Sequence, residues 1–295
     1  MNHLHESVRP YLLKSDSERI NKILSDRWIG YSRAKKILEK LEDCLTQPPI
    51  LRMPCKLLFG ETNNGKTILV TRYYNSNKPY INPEDNGIVA PVFYVQAPPR
   101  PDEKRFYNAI LDKLYTPYKY FDRVDKKQQQ VISLLSRINN KVLIIDEIHH
   151  VLAGTMTAQR TFLNVLKFLS NELQIILVAV GIQDAFNVIN ADPQLANRFE
   201  PIVLPKWQYD DEYLKLLASF EYMLPLKKTS NIIDEKIALK ILSMSEGTIG
   251  EISDILKKAS IMAIQNGSEL ISFKLLETID YIPPSERRRQ IDKGR

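Results

Sequence analysis

The segment Gly60-Glu61-Thr62-Asn63-Asn64-Gly65-Lys66-Thr67 constrains this chain more than any other stretch. It has the form G-x-x-x-x-G-K-T, directly follows the apolar run Lys56-Leu57-Leu58-Phe59 and opens a helical pattern. A strand, a tight glycine-containing loop and a helix N-terminus, in that order, make a cradle for phosphate. Glycine lets the backbone turn so that successive N–H groups converge on an anion. The helix N-terminus adds a favourable dipole. On this reading Gly60 to Thr67, with Ile68 as the next helical residue, hold ATP. Lys66 reaches the β- and γ-phosphates and Thr67 gives its hydroxyl to Mg²⁺.

A second motif, Lys141-Val142-Leu143-Ile144-Ile145-Asp146-Glu147, lies about 80 residues on and ends four apolar residues in two carboxylates. The C-terminal ends of parallel strands are where α/β sheets place ligands. Asp146 suits Mg²⁺, a hard cation taking oxygen ligands, and Glu147 is placed to orient and deprotonate an attacking water. An acidic turn after a strand is the bland alternative for this stretch taken alone. Following a phosphate loop, the adjacent Asp-Glu pair points to hydrolysis.

Short apolar runs at Cys55–Phe59, Val89–Val95, Val142–Ile145, Leu173–Val180 and Ile202–Leu204 alternate with helical patterns near 65–75, 102–114, 125–138 and 157–170. Continuous apolar strands alternating with helices predict an α/β fold, a parallel sheet covered on both faces. Before it, residues 16–46 read as helical, with Ala34, Ile37, Leu38, Leu41 and Leu45 on one stripe and Pro48-Pro49 as the stop. After Pro205-Lys206-Trp207 only helical patterns follow, near 209–223, 234–245, 249–266 and 272–280. The expected domains are an N-terminal helical arm over 1–30, an α/β nucleotide domain over 31–205 and an all-α lid over 206–282. A basic tail over 283–295 carries Arg287, Arg288, Arg289, Lys293 and Arg295.

Apolar residues at 44% and charged residues at 26% fit a globular chain and argue against whole-chain disorder. No stretch reaches the ~20 apolar residues of a membrane span. Met1 to Glu6 lack the order of a secretory signal, so a cytoplasmic location is expected. Cys44 and Cys55, the two cysteines, have no partners at zinc-ligand spacing. His149-His150 lacks the H-E-x-x-H pattern and reads as a loop feature, not a metal site. A net charge of +6 permits nucleic-acid binding without establishing it.

The phosphate loop, the Asp-Glu strand end and the helical C-terminal region together resemble an AAA+ ATPase. Within that superfamily, several stretches resemble the TniB/TnsC family of transposition regulators. They are Arg27-Trp28-Ile29-Gly30-Tyr31, Arg52-Met53-Pro54, the loop at 60–67, Ile145-Asp146-Glu147-Ile148-His149-His150, Val180-Gly181-Ile182 and Asn197-Arg198-Phe199-Glu200. The resemblance runs over residues 15–280. It implies ATP-dependent assembly of this chain as a ring or helical filament on duplex DNA, without base-specific readout. It also implies recruitment of a DDE transposase and dealings with a target-selection adaptor protein.

Carried across residue by residue, the resemblance makes Arg198, after a helix beginning near Asp192-Pro193, an arginine finger acting on a neighbouring subunit. The bland alternative pairs Arg198 with Glu200. Gln183 stands nearest the sensor 1 position. Trp28, Ile29 and Tyr31 stand where the adenine pocket begins, or else staple the N-terminal helix to a core. The stretch Gly247-Thr248-Ile249-Gly250-Glu251 has no arginine where a sensor 2 residue is expected. Arg100, Lys104 and Arg105, after the second strand, are the candidates for phosphate contacts with DNA, against a solvated helix start. A replication-initiator or helicase-loader ATPase and a nucleotide-controlled protein-binding switch remain alternatives.

Overall fold

The computed structural model describes residues 3–25, 27–190 and 196–293. The chain forms two compact units, one of residues 36–204 and one joining residues 1–35 to 205–295. Asp192, Pro193 and Arg295 lie outside the described residues.

In chain order the elements begin with helix α1 (Asp16–Leu24) and helix α2 (Ser32–Thr46). The expected continuous helix over 16–46 is therefore two. Ser25 leaves helical angles at ψ 144°, and the stretch up to Tyr31, which contains Gly30, is not helical where described. Next come β1 (Cys55–Gly60), α3 (Lys66–Ser76), β2 (Tyr80–Ile81), β3 (Ile88–Val89) and β4 (Val92–Gln96). The apolar run at Val89–Val95 is split because Pro91 has no N–H to give to a ladder. Ile88 and Val89 instead pair antiparallel with Tyr80 and Ile81. Then follow α4 (Glu103–Lys113), α5 (Val124–Arg137), β5 (Val142–Asp146), a 3₁₀ helix (Ile148–Ala153), α6 (Met156–Leu173), β6 (Ile176–Gly181), α7 (Gln183–Asn190) and β7 (Phe199–Leu204).

The five long strands pair in parallel in the order β4-β5-β6-β1-β7. Every residue of β5 and β6 is buried, as an interior parallel sheet requires. Along one face Leu57, Phe59, Val95, Leu143, Ile145, Leu177 and Ala179 pack with Phe106 and Ile110 of α4, Val131 and Leu135 of α5 and Phe162 and Leu166 of α6. Helix α3 packs against β1, β4 and β6. This topology brings the ends of β1, β4, β5, β6 and β7 to one edge, at Gly60, Gln96, Asp146, Gly181 and Leu204.

The second unit holds α1, α8 (Asp211–Tyr222), α9 (Glu235–Ser245), α10 (Ile249–Gln265), α11 (Phe273–Thr278) and α12 (Pro284–Lys293). The N-terminal arm is integral to it. Ile23 joins a core with Leu216, Phe220, Ile255, Leu256 and Leu276. Arg19, with no exposed surface, donates to both carboxylate oxygens of Glu269 and twice to the carbonyl of Pro225.

Burial alone would raise the Glu269 pKa. The bond from Arg19, the Lys227 N–H and both positive charges outweigh it and hold the carboxyl below its usual value. That contribution to stability is complete above the ordinary glutamate range and fades as pH falls through the lowered value. Replacing Arg19 with methionine strips the buried Glu269 of its two-point partner and leaves only Lys227, at 3.5 Å, which costs about 3 kcal/mol. Trp28 and Trp207 are the only two tryptophans and both belong to this unit, so urea unfolding followed by tryptophan fluorescence reads the loss directly.

The C-terminal stretch expected as an exposed basic tail is largely helical. Arg287 holds Glu251 with two bonds, at 3.1 and 2.7 Å, and Tyr281 donates to the same carboxylate at 2.5 Å. Glu251, in the stretch that lacks a sensor 2 arginine, is thus a buried internal anchor.

Candidate active site

The phosphate loop hangs between two anchors. Asn64 is buried and donates from Nδ2 to the carbonyl of Leu204 at 2.9 Å, tying the loop to the end of β7. Gly60 lies so close to the same carbonyl that a Cβ there would stand 2.3 Å from its oxygen. The first glycine is therefore needed for the approach of β7 as well as for the turn. Gly65 sits at φ 85° and opens α3, a conformation that favours glycine. Gly60→Ala must push the loop off β7, at a cost of about 1–3 kcal/mol, readable as a lower urea midpoint by circular dichroism.

Lys66 folds back onto the loop and donates to the carbonyls of Gly60 at 2.9 Å and Glu61 at 2.6 Å. Burial holds its ammonium below the ordinary lysine value, against the opposing pull of Glu147, Asp146 and Glu61. Thr67 donates from Oγ1 to Oδ2 of Asp146 at 2.9 Å. The hydroxyl and the carboxylate named from two separate motifs are thus in direct contact, and both offer the oxygen ligands that suit Mg²⁺.

Asp146 is only 2% exposed and its carboxylate is fully oriented. Oδ1 accepts the N–H of Glu147 at 2.8 Å, and Oδ2 also accepts the hydroxyl of Tyr94 at 2.9 Å. Sequence reasoning missed Tyr94. Its signal was a hydroxyl-bearing side chain inside the otherwise apolar strand β4, which runs beside β5. Burial, then the neighbouring Asp146 carboxylate, pushes the Tyr94 phenol well above its usual value, so it remains a donor. Lys113 covers the ring face at 4.7 Å.

Glu147 stands at φ 56°, ψ 36°, the left-handed region, and begins the turn into the 3₁₀ helix. A non-glycine residue held there is a local strain of the kind found at functional sites. The tight turn also brings ligand atoms of Glu147, His149 and His150 within 4.8 Å of one another. The expectation that the two histidines are a plain loop feature rested on α-helical ligand spacing, which does not govern a 3₁₀ turn.

Arg198 occupies the far edge of the sheet. Its carbonyl accepts the N–H of Cys55, the first residue of β1, at 2.8 Å, while the phosphate loop starts at the other end of that strand. Five residue steps separate the two ends, about 17 Å. Its guanidinium donates to Asn171 of α6 at 2.7 Å. Glu200, the suggested bland partner, pairs instead with Lys56 at 2.5 Å and Lys40 at 3.6 Å.

The remaining candidates divide. Gln183 is the exposed first residue of α7, two positions beyond β6. Ile29 is buried in the core of the helical unit, and Tyr31 packs edge-on against Trp207 at 5.1 Å, its phenol pushed by burial to about 12. Those contacts are staple contacts. Trp28 is half-buried beside Gly30. Arg100 is exposed, Lys104 lies over the ring of Tyr120 at 5.2 Å, and Arg105 pairs with Asp102, the N-cap of α4, at 3.4 Å.

The strand order, the loop after β1 and the acidic end of β5 define an AAA+ fold. Similar solved structures include the Aeropyrum pernix ORC2 protein in ADPNP–ADP complexes, at 16% identity and TM-score 0.59, covering 87% of this chain and 70% of that one. Cdc6p from Pyrobaculum aerophilum matches at 18% and 0.59, covering 85% and 68%. The Aeropyrum pernix ORC1 protein in complex with DNA matches at 16% and 0.57, covering 88% and 68%. At these identities the likeness is one of fold. The chain belongs to the TniB family: the family described as "Bacterial TniB protein" matches residues 19–209. No helix among the described residues is long and apolar enough to cross a membrane.

Proposed function

We propose that this chain is an ATPase that assembles on duplex DNA when ATP is bound and directs a DDE transposase to its target. The observation that carries the ATPase part is the contact between Thr67 and Asp146 beside Lys66, a phosphate loop joined to a metal-binding carboxylate. Thr67 and Asp146 would hold Mg²⁺, which neutralises charge on the phosphates when bound. Lys66 exchanges its two loop carbonyls for phosphate oxygens. Glu147 accepts the proton of the water that attacks the γ-phosphate, and ADP and phosphate leave.

Losing the Lys66 contacts in Lys66→Ala removes charge-assisted bonds of about 3 kcal/mol. Affinity for ATP then falls about 100-fold, as equilibrium binding of a fluorescent ATP analogue will show. ATP-dependent assembly fails with it.

The DNA and transposase parts rest on family membership and on the net positive charge, with Arg100, Lys104 and Arg105 as the proposed phosphate contacts. The adaptor protein and the ring or filament form belong to the same reading, as does the adenine-pocket role of Trp28, Ile29 and Tyr31 and the sensor role of Gln183. Retention on duplex DNA with ATP, with ADP and without nucleotide tests it. ATP-dependent retention that weakens steeply with salt is expected. No retention at low salt in any nucleotide state would remove the DNA reading and favour a protein-binding switch.

A further inference from the structure

Glu147, assigned above as the base, has a close side-chain neighbour to which the sequence reading gave no catalytic task. Its Oε2 lies 3.2 Å from Nε2 of His149, two residues on in the 3₁₀ helix. The other ring nitrogen of His149, Nδ1, is buried and has no hydrogen-bond partner among the described residues. Burial pushes the pKa of this histidine down, against the pull of Glu147, so the ring is neutral near neutral pH. A neutral imidazole carries one N–H and one lone pair. Nε2 is the ring nitrogen that faces the carboxylate, so a proton there leaves the lone pair on Nδ1.

The surroundings fix this arrangement. Asp146 takes the N–H of Glu147, which anchors the carboxylate's backbone. The backbone of His149 passes the end of β6 closely enough that a Cβ on Gly181 would stand 3.5 Å from its nitrogen. His150 is engaged elsewhere, with Nδ1 3.4 Å from the carbonyl of Ala97. His149 is therefore the side chain placed to set where the Glu147 carboxylate points.

We propose that His149 is a positioning residue for Glu147, donating Nε2–H to the carboxylate so that its remaining lone pairs face the attacking water. This rests on the reading of Glu147 as the base. A base must lie within hydrogen-bond reach of the proton it takes, and a carboxylate that accepts no bond is free to rotate away from that pose. Residues that orient a reacting group in this way change activity by about 10–100-fold.

The test uses the full chain with Mg²⁺, ATP and duplex DNA, comparing His149→Ala, His149→Gln and His149→Phe. We expect His149→Ala to lower kcat about 10–100-fold while equilibrium affinity for a fluorescent ATP analogue stays within about twofold. Glutamine places an amide N–H where Nε2–H stood and should recover most of the lost kcat. Phenylalanine fills the space without a donor and should not. Wild-type kcat in His149→Ala, equal recovery by phenylalanine, or a loss of nucleotide affinity as large as the loss of kcat would each overturn the proposal. Glu147→Gln run alongside separates the two levels: if it turns over normally the base reading itself fails, and if only His149→Ala is normal the positioning role alone fails.

Discussion

On the proposal that Arg198 is an arginine finger for the neighbouring subunit, replacing it with alanine will slow ATP turnover on DNA by about 10³–10⁵-fold, the range a supplied arginine contributes in other P-loop enzymes. The affinity of each subunit for ATP will remain. The geometry speaks against a role within the same subunit. Arg198 directly precedes β7 at the edge opposite the phosphate loop, with its guanidinium on Asn171 of α6, and so stands far from its own subunit's phosphate loop. If it acts, it acts on the next subunit, where a guanidinium neutralises charge developing on the transferred phosphoryl group. Multiple-turnover assays on duplex DNA and equilibrium nucleotide binding, run on the same preparation, check both halves of the expectation. Turnover within a few-fold of wild type would return Arg198 to a local structural role.

Glu147→Gln is the second large effect. Glutamine keeps the size and a hydrogen-bonding oxygen but cannot accept the water's proton, so turnover falls by about 10²–10⁴-fold. Lys66, Thr67 and Asp146 are untouched, so ATP binding persists. On the proposed reading ATP hydrolysis controls disassembly, so assemblies on DNA become long-lived. Dissociation from immobilised duplex after dilution into excess competitor DNA will be slower than for the wild type. Normal turnover would place the base elsewhere.

Much of this was legible before any coordinates. The apolar runs that became β1, β5 and β6 have no polar alternation, which marks parallel strands buried on both faces. The phosphate loop and the Asp146-Glu147 strand end place themselves at one edge once the strands are parallel. What escaped depended on non-local contacts. Nothing local in Lys56-Leu57-Leu58-Phe59-Gly60 says that Gly60 must admit the carbonyl of Leu204.

Tyr94 reaches Asp146 only because β4 pairs with β5. The sequence marks residues 1–30 only as a helical arm, because its tie to the helical unit is a buried pair 250 residues apart in sequence. Pro91 was visible in the sequence, but its effect in splitting the β3–β4 run needs the competing partner strand β2. The 3₁₀ turn after Glu147 hid both the closeness of His149 and that of His150.

The most direct test of the account mixes two inactive variants on duplex DNA. Glu147→Gln subunits bind ATP and carry Arg198 but cannot hydrolyse; Arg198→Ala subunits bind ATP and carry Glu147 but lack the finger. If sites are shared between neighbours, an equimolar mixture recovers about a quarter of wild-type turnover, the fraction of random neighbour pairs with a complete site. A mixture no more active than the sum of its two parts would contradict the shared site.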